Sequence, residues 1–87
     1  MIKAWSDAAW EDFEYWLNHD KKTWKRILKL LKDIDRNGYT GIGKPEPLIG
    51  DLSKYWSRRI DDCNRIVYRI EDDTIKIVQC GSHYRDK

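Results

Sequence analysis

The sequence predicts an α+β domain in which a short N-terminal strand and a helical hairpin precede an antiparallel β-meander. Three observations predict it. Two consecutive stretches carry apolar residues at helical spacing, separated by a polar break at Asn18-His19-Asp20. Three later stretches alternate apolar with polar and are bounded by short polar turns. Between the halves lies a connection holding Gly41, Gly43, Pro45, Pro47 and Gly50, which interrupts both periods. The 87 residues suit a single domain, 1–87. A domain of this size buries roughly 60–65% of its unfolded surface, so its core is small.

The elements follow in order. Ile2-Lys3-Ala4-Trp5 reads as a strand, and Ser6 as the cap of a helix with Asp7 in its first turn. Ala9, Trp10, Phe13, Trp16 and Leu17 form that helix's apolar stripe. Asp20 caps a second helix, whose stripe is Trp24, Ile27, Leu28, Leu31 and Ile34 and whose end is Asn37-Gly38. His19, at the turn between them, reads as a solvated terminal residue. Tyr39 to Lys54 reads mostly as loop, long for so small a domain, and long loops of this kind are commonly functional. Three strands close the chain: Tyr55–Ile60, Arg65–Glu71 and Thr74–Cys80. Ile66, Tyr68 and Ile70 point to one face, and Arg65, Val67 and Arg69 to the other. With Asp72-Asp73 as a two-residue hairpin loop, Arg65 pairs with Cys80. The helices are expected on one face, leaving the face of Arg65 to a ligand.

Composition narrows the partners. Net charge is only +2, but its distribution is uneven. Ala4 to Asp20 is acidic, and Lys21 to Arg36 is basic, with Lys25, Lys29 and Lys32 on the solvated side of the second helix. That run suits either mere solvation or contact with a polyanion. Cys63 and Cys80, with two histidines, are too few for a spaced zinc site. The isolated cysteines and the lack of an apolar leader point to a reducing, cytoplasmic setting. No apolar run approaches the roughly 18–20 residues that cross a bilayer.

The chemistry centres on Pro45-Glu46-Pro47. Proline fixes its own φ and drives the preceding residue toward extended conformations, so Glu46 belongs in a stiffened, extended loop. Glu46, Arg65 and His83 can together cleave RNA through its own 2′-hydroxyl. A carboxylate takes the 2′-proton, an arginine meets the phosphate oxygens with parallel donors, and a histidine protonates the departing 5′-oxygen. No metal or cofactor is needed for this. Tyr84 could stack on a base or donate to phosphate. Singly, each residue has an ordinary structural role as well. Which of Arg58 and Arg59 shares the face of Arg65 depends on the intervening turn. A regular last strand turns His83 away from that face, and a bulge at Gly81 turns it back.

These residues together resemble the YoeB family of bacterial toxins, within the RelE/ParE superfamily. The resemblance runs from Met1 to Tyr84. It rests on Lys3-Ala4-Trp5-Ser6, the Trp10 helix, Gly43-Lys44-Pro45-Glu46-Pro47-Leu48, Trp56-Ser57-Arg58-Arg59-Ile60, Asn64-Arg65-Ile66-Val67-Tyr68 and Ser82-His83-Tyr84, in family order. It implies a RelE-like fold and a ribosome-dependent, metal-independent endoribonuclease. Such a toxin cuts mRNA in the A site of the 70S ribosome and is silenced by a YefM-like antitoxin. In that reading Glu46 is the general base, His83 the general acid, Arg65 the phosphate stabiliser, Tyr84 a stacking or positioning residue and Arg59 a further phosphate contact. Lys25, Lys29 and Lys32 would grip ribosomal RNA. Members commonly form homodimers, which places Trp10 and its neighbours at that interface. Two departures stand out. Ile49 occupies a position that is often basic, which leaves its phosphate contact absent or supplied by Lys44 or Lys54. A tail, Arg85-Asp86-Lys87, follows the His-Tyr pair that usually ends the chain. A ParE-like inhibitor of gyrase and a plain RNA-binding module are the alternative readings.

Overall fold

Ser6 and Asp20 set the helical half. The Ser6 hydroxyl accepts the Ala9 amide at 3.1 Å and opens α1 (Asp7–His19). Asp20 serves two helices at once. Its amide donates to the Trp16 carbonyl at 2.8 Å and closes α1, while its carboxylate accepts the Thr23 amide at 3.2 Å and opens α2 (Lys21–Asn37). The computed structural model describes residues 1–82. Its strands are β1 (Ile2–Trp5), β2 (Glu46–Pro47), β3 (Trp56–Arg59), β4 (Arg65–Glu71) and β5 (Thr74–Gly81). They form one sheet in the order β1-β5-β4-β3-β2, with β1 parallel to β5 and every other pair antiparallel.

The helices cover one face. Ala9 of α1 and Ile27, Leu30, Leu31 and Ile34 of α2 bury against Ile66 and Tyr68 of β4 and Ile75, Ile77 and Cys80 of β5. Trp10 and Leu17 belong to the apolar stripe of α1 but stay 45% and 38% exposed. The stripe is wider than the face that packs, and Trp10 instead lies edge-on to Trp5 at 5.6 Å. Beyond β1 the free edge of β5 is satisfied by side chains. Asp12 accepts the Cys80 amide at 3.1 Å, Trp16 Nε1 donates to the Cys80 carbonyl at 2.8 Å, and the Ser6 hydroxyl donates to the Val78 carbonyl at 3.2 Å.

Three expectations change on the sheet. The loop around Glu46 contains a fifth strand, because Glu46 and Pro47 pair with Ser57 and Trp56. The Leu48 amide donates to the Tyr55 carbonyl at 2.9 Å. Alternation then turns the nitrogens of Pro45 and Pro47 to the outer edge, where a missing N–H costs no ladder bond. The Asp72-Asp73 loop has two residues, both at positive φ (53° and 58°). Arg65 nevertheless pairs with Gly81, not Cys80. The ladder runs Tyr68 to Ile77 and then Val67 to Gln79, so Val78 is an extra, bulged residue. The bulge thus sits three residues before Gly81. The third change concerns the face opposite the helices, which is not uniformly open. Ser57, Val67 and Gln79 form a cross-strand row on it and are 3%, 0% and 3% exposed.

Candidate active site

The pairing scheme decides which charged residues share a face. Arg59 pairs directly with Arg65, and Glu46 pairs with Ser57, two residues before Arg59. Side chains alternate along a strand, so Glu46, Arg59 and Arg65 all project from the face away from the helices. Strand spacing and rise place Glu46 about 12 Å from Arg65, backbone to backbone, with Arg59 between. A phosphodiester group can lie between side chains of that length.

The three groups differ in how far they are committed. The Glu46 side chain is exposed and makes no hydrogen bond or ion pair with another described residue. Arg59 is half-buried, and its Nε is buried without a hydrogen-bond partner among the described residues. Arg65 uses one nitrogen, Nη1, which donates to the carbonyls of Asp61 at 3.1 Å and Asn64 at 3.4 Å. Neither Arg59 nor Arg65 makes a salt bridge with a described residue. Further along the same face the charges are matched. Glu71 meets Arg69 at 2.9 Å and Lys76 at 2.6 Å. Its carboxyl is held below the usual range first by the Lys76 hydrogen bond and then by Arg69. The unmatched positive charge therefore gathers at the Arg59–Arg65 end.

Arg58 answers the question that the sequence left open. It points to the opposite face from Arg59 and is fully buried. Its Nε donates to the Tyr68 hydroxyl at 3.1 Å. Nη1 pairs with Asp33 and donates to the Ile42 carbonyl at 3.1 Å, and Nη2 donates to the carbonyls of Gly38 at 2.8 Å and Thr40 at 2.6 Å. Asp33 also accepts the Ile42 amide at 3.1 Å. The connection from α2 is thus wrapped around one guanidinium. Gly41 and Gly43 permit the close approach. Both have positive φ (125° and 82°), and a Cβ would strike the Asp33 carboxylate at the first and Leu30 and Arg58 at the second. The Gly43 carbonyl then accepts the Arg59 amide at 2.7 Å, which sets the loop down beside β3 three residues before Glu46. Burial pushes the Tyr68 phenol up, against the pull of Arg58, so its hydroxyl stays protonated and donates to the Gly38 carbonyl at 3.3 Å.

The remaining expected residues fall elsewhere. Lys44 is exposed at positive φ (52°), two residues before Glu46. Lys54 precedes Arg59 by five residues, and its charge acts on Glu71. It is therefore not gathered with Arg65. Lys25, Lys29 and Lys32 are exposed on α2, and the last two line an open pocket of about 220 Å³ with Asp33, Arg36 and Ile42. That pocket adjoins the Arg58 anchor, not the face of Glu46. His19 is exposed and stacks on Tyr15 with ring centres 4.2 Å apart. His83, Tyr84 and the tail Arg85-Asp86-Lys87 lie outside the described residues. Sequence reasoning missed Asp33 and the carbonyls of Gly38, Thr40 and Ile42. No local pattern signals a contact made 16 to 25 positions away.

Known proteins resemble this chain closely. The family model described as YoeB-like toxin of bacterial type II toxin-antitoxin system matches residues 5–84. Toxin YoeB of Streptomyces coelicolor is 56% identical over 84 residues, covering 97% of this chain and all of that one. Two solved structures from Staphylococcus aureus superpose on it. A heterotetrameric YoeB-YefM toxin-antitoxin complex gives a TM-score of 0.91 at 48% identity, covering 97% of this chain and 98% of its counterpart. A YoeB dimer gives 0.90 at 48% identity with the same coverage.

Proposed function

From its membership of the YoeB-like toxins of bacterial type II toxin-antitoxin systems, to which this chain belongs, we propose that it is a ribosome-dependent endoribonuclease. The observation that carries the proposal is the gathering of Glu46, Arg59 and Arg65 on one sheet face, none of them in a salt bridge with a described residue. In the proposed reaction Glu46 takes the proton from a 2′-hydroxyl. The 2′-oxygen forms a bond to phosphorus, and the phosphorus–5′-oxygen bond breaks. Arg65, assisted by Arg59, bears the charge that accumulates on the phosphate oxygens. His83 gives its proton to the 5′-oxygen, and Tyr84 holds the adjacent base. The products are a 2′,3′-cyclic phosphate and a free 5′-hydroxyl, and no cofactor takes part. Lys44 is a nearby phosphate contact, and Lys25, Lys29 and Lys32 face ribosomal RNA.

The 70S ribosome is proposed as the scaffold that presents mRNA in its A site, in the cytoplasm. A YefM-like antitoxin is the proposed inhibitor, as the complex of the S. aureus relative suggests. A homodimer is proposed on the same footing, with exposed Trp10 near its interface. Primer extension on translated mRNA after induced expression tests the reading. Discrete breaks within codons, absent from untranslated message, are expected. Intact message accompanied by DNA damage would transfer the assignment to a gyrase inhibitor.

A further inference from the structure

The turn between β3 and β4 is built around one carboxylate. Asp61 Oδ1 accepts the amides of Cys63 at 2.8 Å and Asn64 at 2.7 Å, and both Asp61 oxygens accept Asn64 Nδ2 at 3.0 Å. The Asn64 carbonyl accepts the amides of Ile60 at 2.9 Å and Asp61 at 3.3 Å. Asn64 itself is buried, at 9% exposure. The result is a closed ring in which the carbonyls of Asp61 and Asn64 converge on Arg65 Nη1. Here the turn takes up Asp61 Oδ1 with three donors, Asn64 Nδ2 also meets Oδ2, and no salt bridge to Arg65 forms. Glu71, six residues after Arg65, does the opposite and neutralises Arg69 and Lys76. Burial pushes the Asp61 carboxyl up, but the hydrogen bonds from Asn64 and Cys63, and then the charge of Arg65, hold it below its ordinary value. It is therefore ionised at neutral pH and attracts Arg65 without capturing it.

We propose that Asp61 and Asn64 are positioning residues for Arg65, their ring aiming two carbonyls at one guanidinium nitrogen and leaving the others for a substrate phosphate. The inference rests on the reading of Arg65 as the phosphate stabiliser. Holding an arginine through neutral carbonyls fixes its direction without neutralising its charge, which is what a group meeting a developing phosphate charge requires.

Two readouts on the full chain test it: ¹⁵N relaxation of the Arg65 side chain, and single-turnover scission of mRNA on programmed ribosomes. Asp61→Ala and Asn64→Ala are compared with Asp61→Asn, which keeps an acceptor oxygen for the Cys63 and Asn64 amides. The alanine variants are expected to loosen the guanidinium and to slow scission about tenfold at unchanged ribosome affinity. Asp61→Asn keeps the amide acceptor but sets its Nδ2 against Asn64 Nδ2, so both readouts should fall between the parent and the alanine variants, and it supplies the comparison if an alanine variant fails to fold. A guanidinium as ordered in the substituted chains as in the parent overturns the proposal whatever happens to scission. Loosening with an unaltered rate also overturns it, since Arg65 then needs no aiming. If the parent chain cuts nothing, the nuclease reading fails, while the relaxation readout still decides whether the ring orders Arg65.

Discussion

Arg58 and Arg59 are neighbours on one strand, yet the fold uses them in opposite ways. Arg58 lies under the helices with no exposure and donates to five partners, one of them the Asp33 carboxylate. Arg59 lies on the other face beside Arg65, with a buried Nε that no described residue accepts. A buried guanidinium must be satisfied or it destabilises the fold, so Arg58 acts as a structural pin. A half-exposed one that no described residue matches carries no such structural duty and keeps its planar donors free of described partners. The same residue type thus holds the loop before Glu46 in place on one face and stands beside Arg65 on the other.

The sharpest way to break this contrast is to remove the pin. Arg58→Ala strands Asp33 and three loop carbonyls, and is expected to cost about 3–5 kcal/mol. Domains of this size hold roughly 5–10 kcal/mol in all, so the variant should lose about half of its stability and unfold at a much lower urea concentration than the parent. Arg65→Ala should leave the urea midpoint nearly unchanged and lower single-turnover scission about 10²–10³-fold. Arg59→Ala should also fold and lose about tenfold or more, the usual worth of one hydrogen bond to a charged group. An Arg59 variant that unfolds as readily as the Arg58 variant would erase the distinction between the faces.

Acid probes the pin more gently. The hydrogen bond from Arg58, first, and those from Ile42 and Asn37 hold the Asp33 carboxyl below its usual range, against burial, which pushes it up. A folded-state value below the unfolded one contributes stability that is present above about pH 4 and lost as pH falls through the folded value. The carboxyls of Asp20, Asp35, Asp61 and Glu71 are lowered too, so the urea midpoint should fall on acidification below about pH 4. Asp33→Asn should flatten that fall and lower the midpoint at neutral pH. The smallest effect is expected at Ile49, which is 90% exposed. Ile49→Lys should change stability by no more than about 0.5 kcal/mol and steepen the salt dependence of RNA binding by about one phosphate contact.

Local chemistry made much of this fold legible. Ser6, Asp20 and Gly38 mark helix ends through side-chain caps and backbone freedom, and each stands where its residue type predicts. β4 runs from Arg65 to Glu71 as its alternation indicates. What could not be read depends on partners distant in sequence. The bulge at Val78 shifts the partner of Arg65 by one residue, and nothing in Ile77-Val78-Gln79 announces it. The five-residue turn that pairs Arg59 with Arg65 fixes which arginine shares the face of Arg65, and several turn lengths suit Asp61-Asp62-Cys63-Asn64. Glu46 was legible as extended because prolines flank it. Its ladder to Ser57 follows a loop whose Thr40 carbonyl accepts from the distant Arg58, a contact no local pattern signals. At the site, Glu46, Arg59 and Arg65 come together on one face, Lys54 does not join them, and His83 and Tyr84 lie outside the described residues.

The most direct test of the account is the single-turnover rate of scission by Glu46→Gln on ribosomes programmed with a defined A-site codon. The exchange keeps shape and removes the base from an exposed side chain that no described residue holds, so folding and ribosome binding should be unaltered. The account predicts a rate about 10²–10⁴-fold below that of the parent. A rate equal to the parent's, from a folded and ribosome-bound variant, would contradict it.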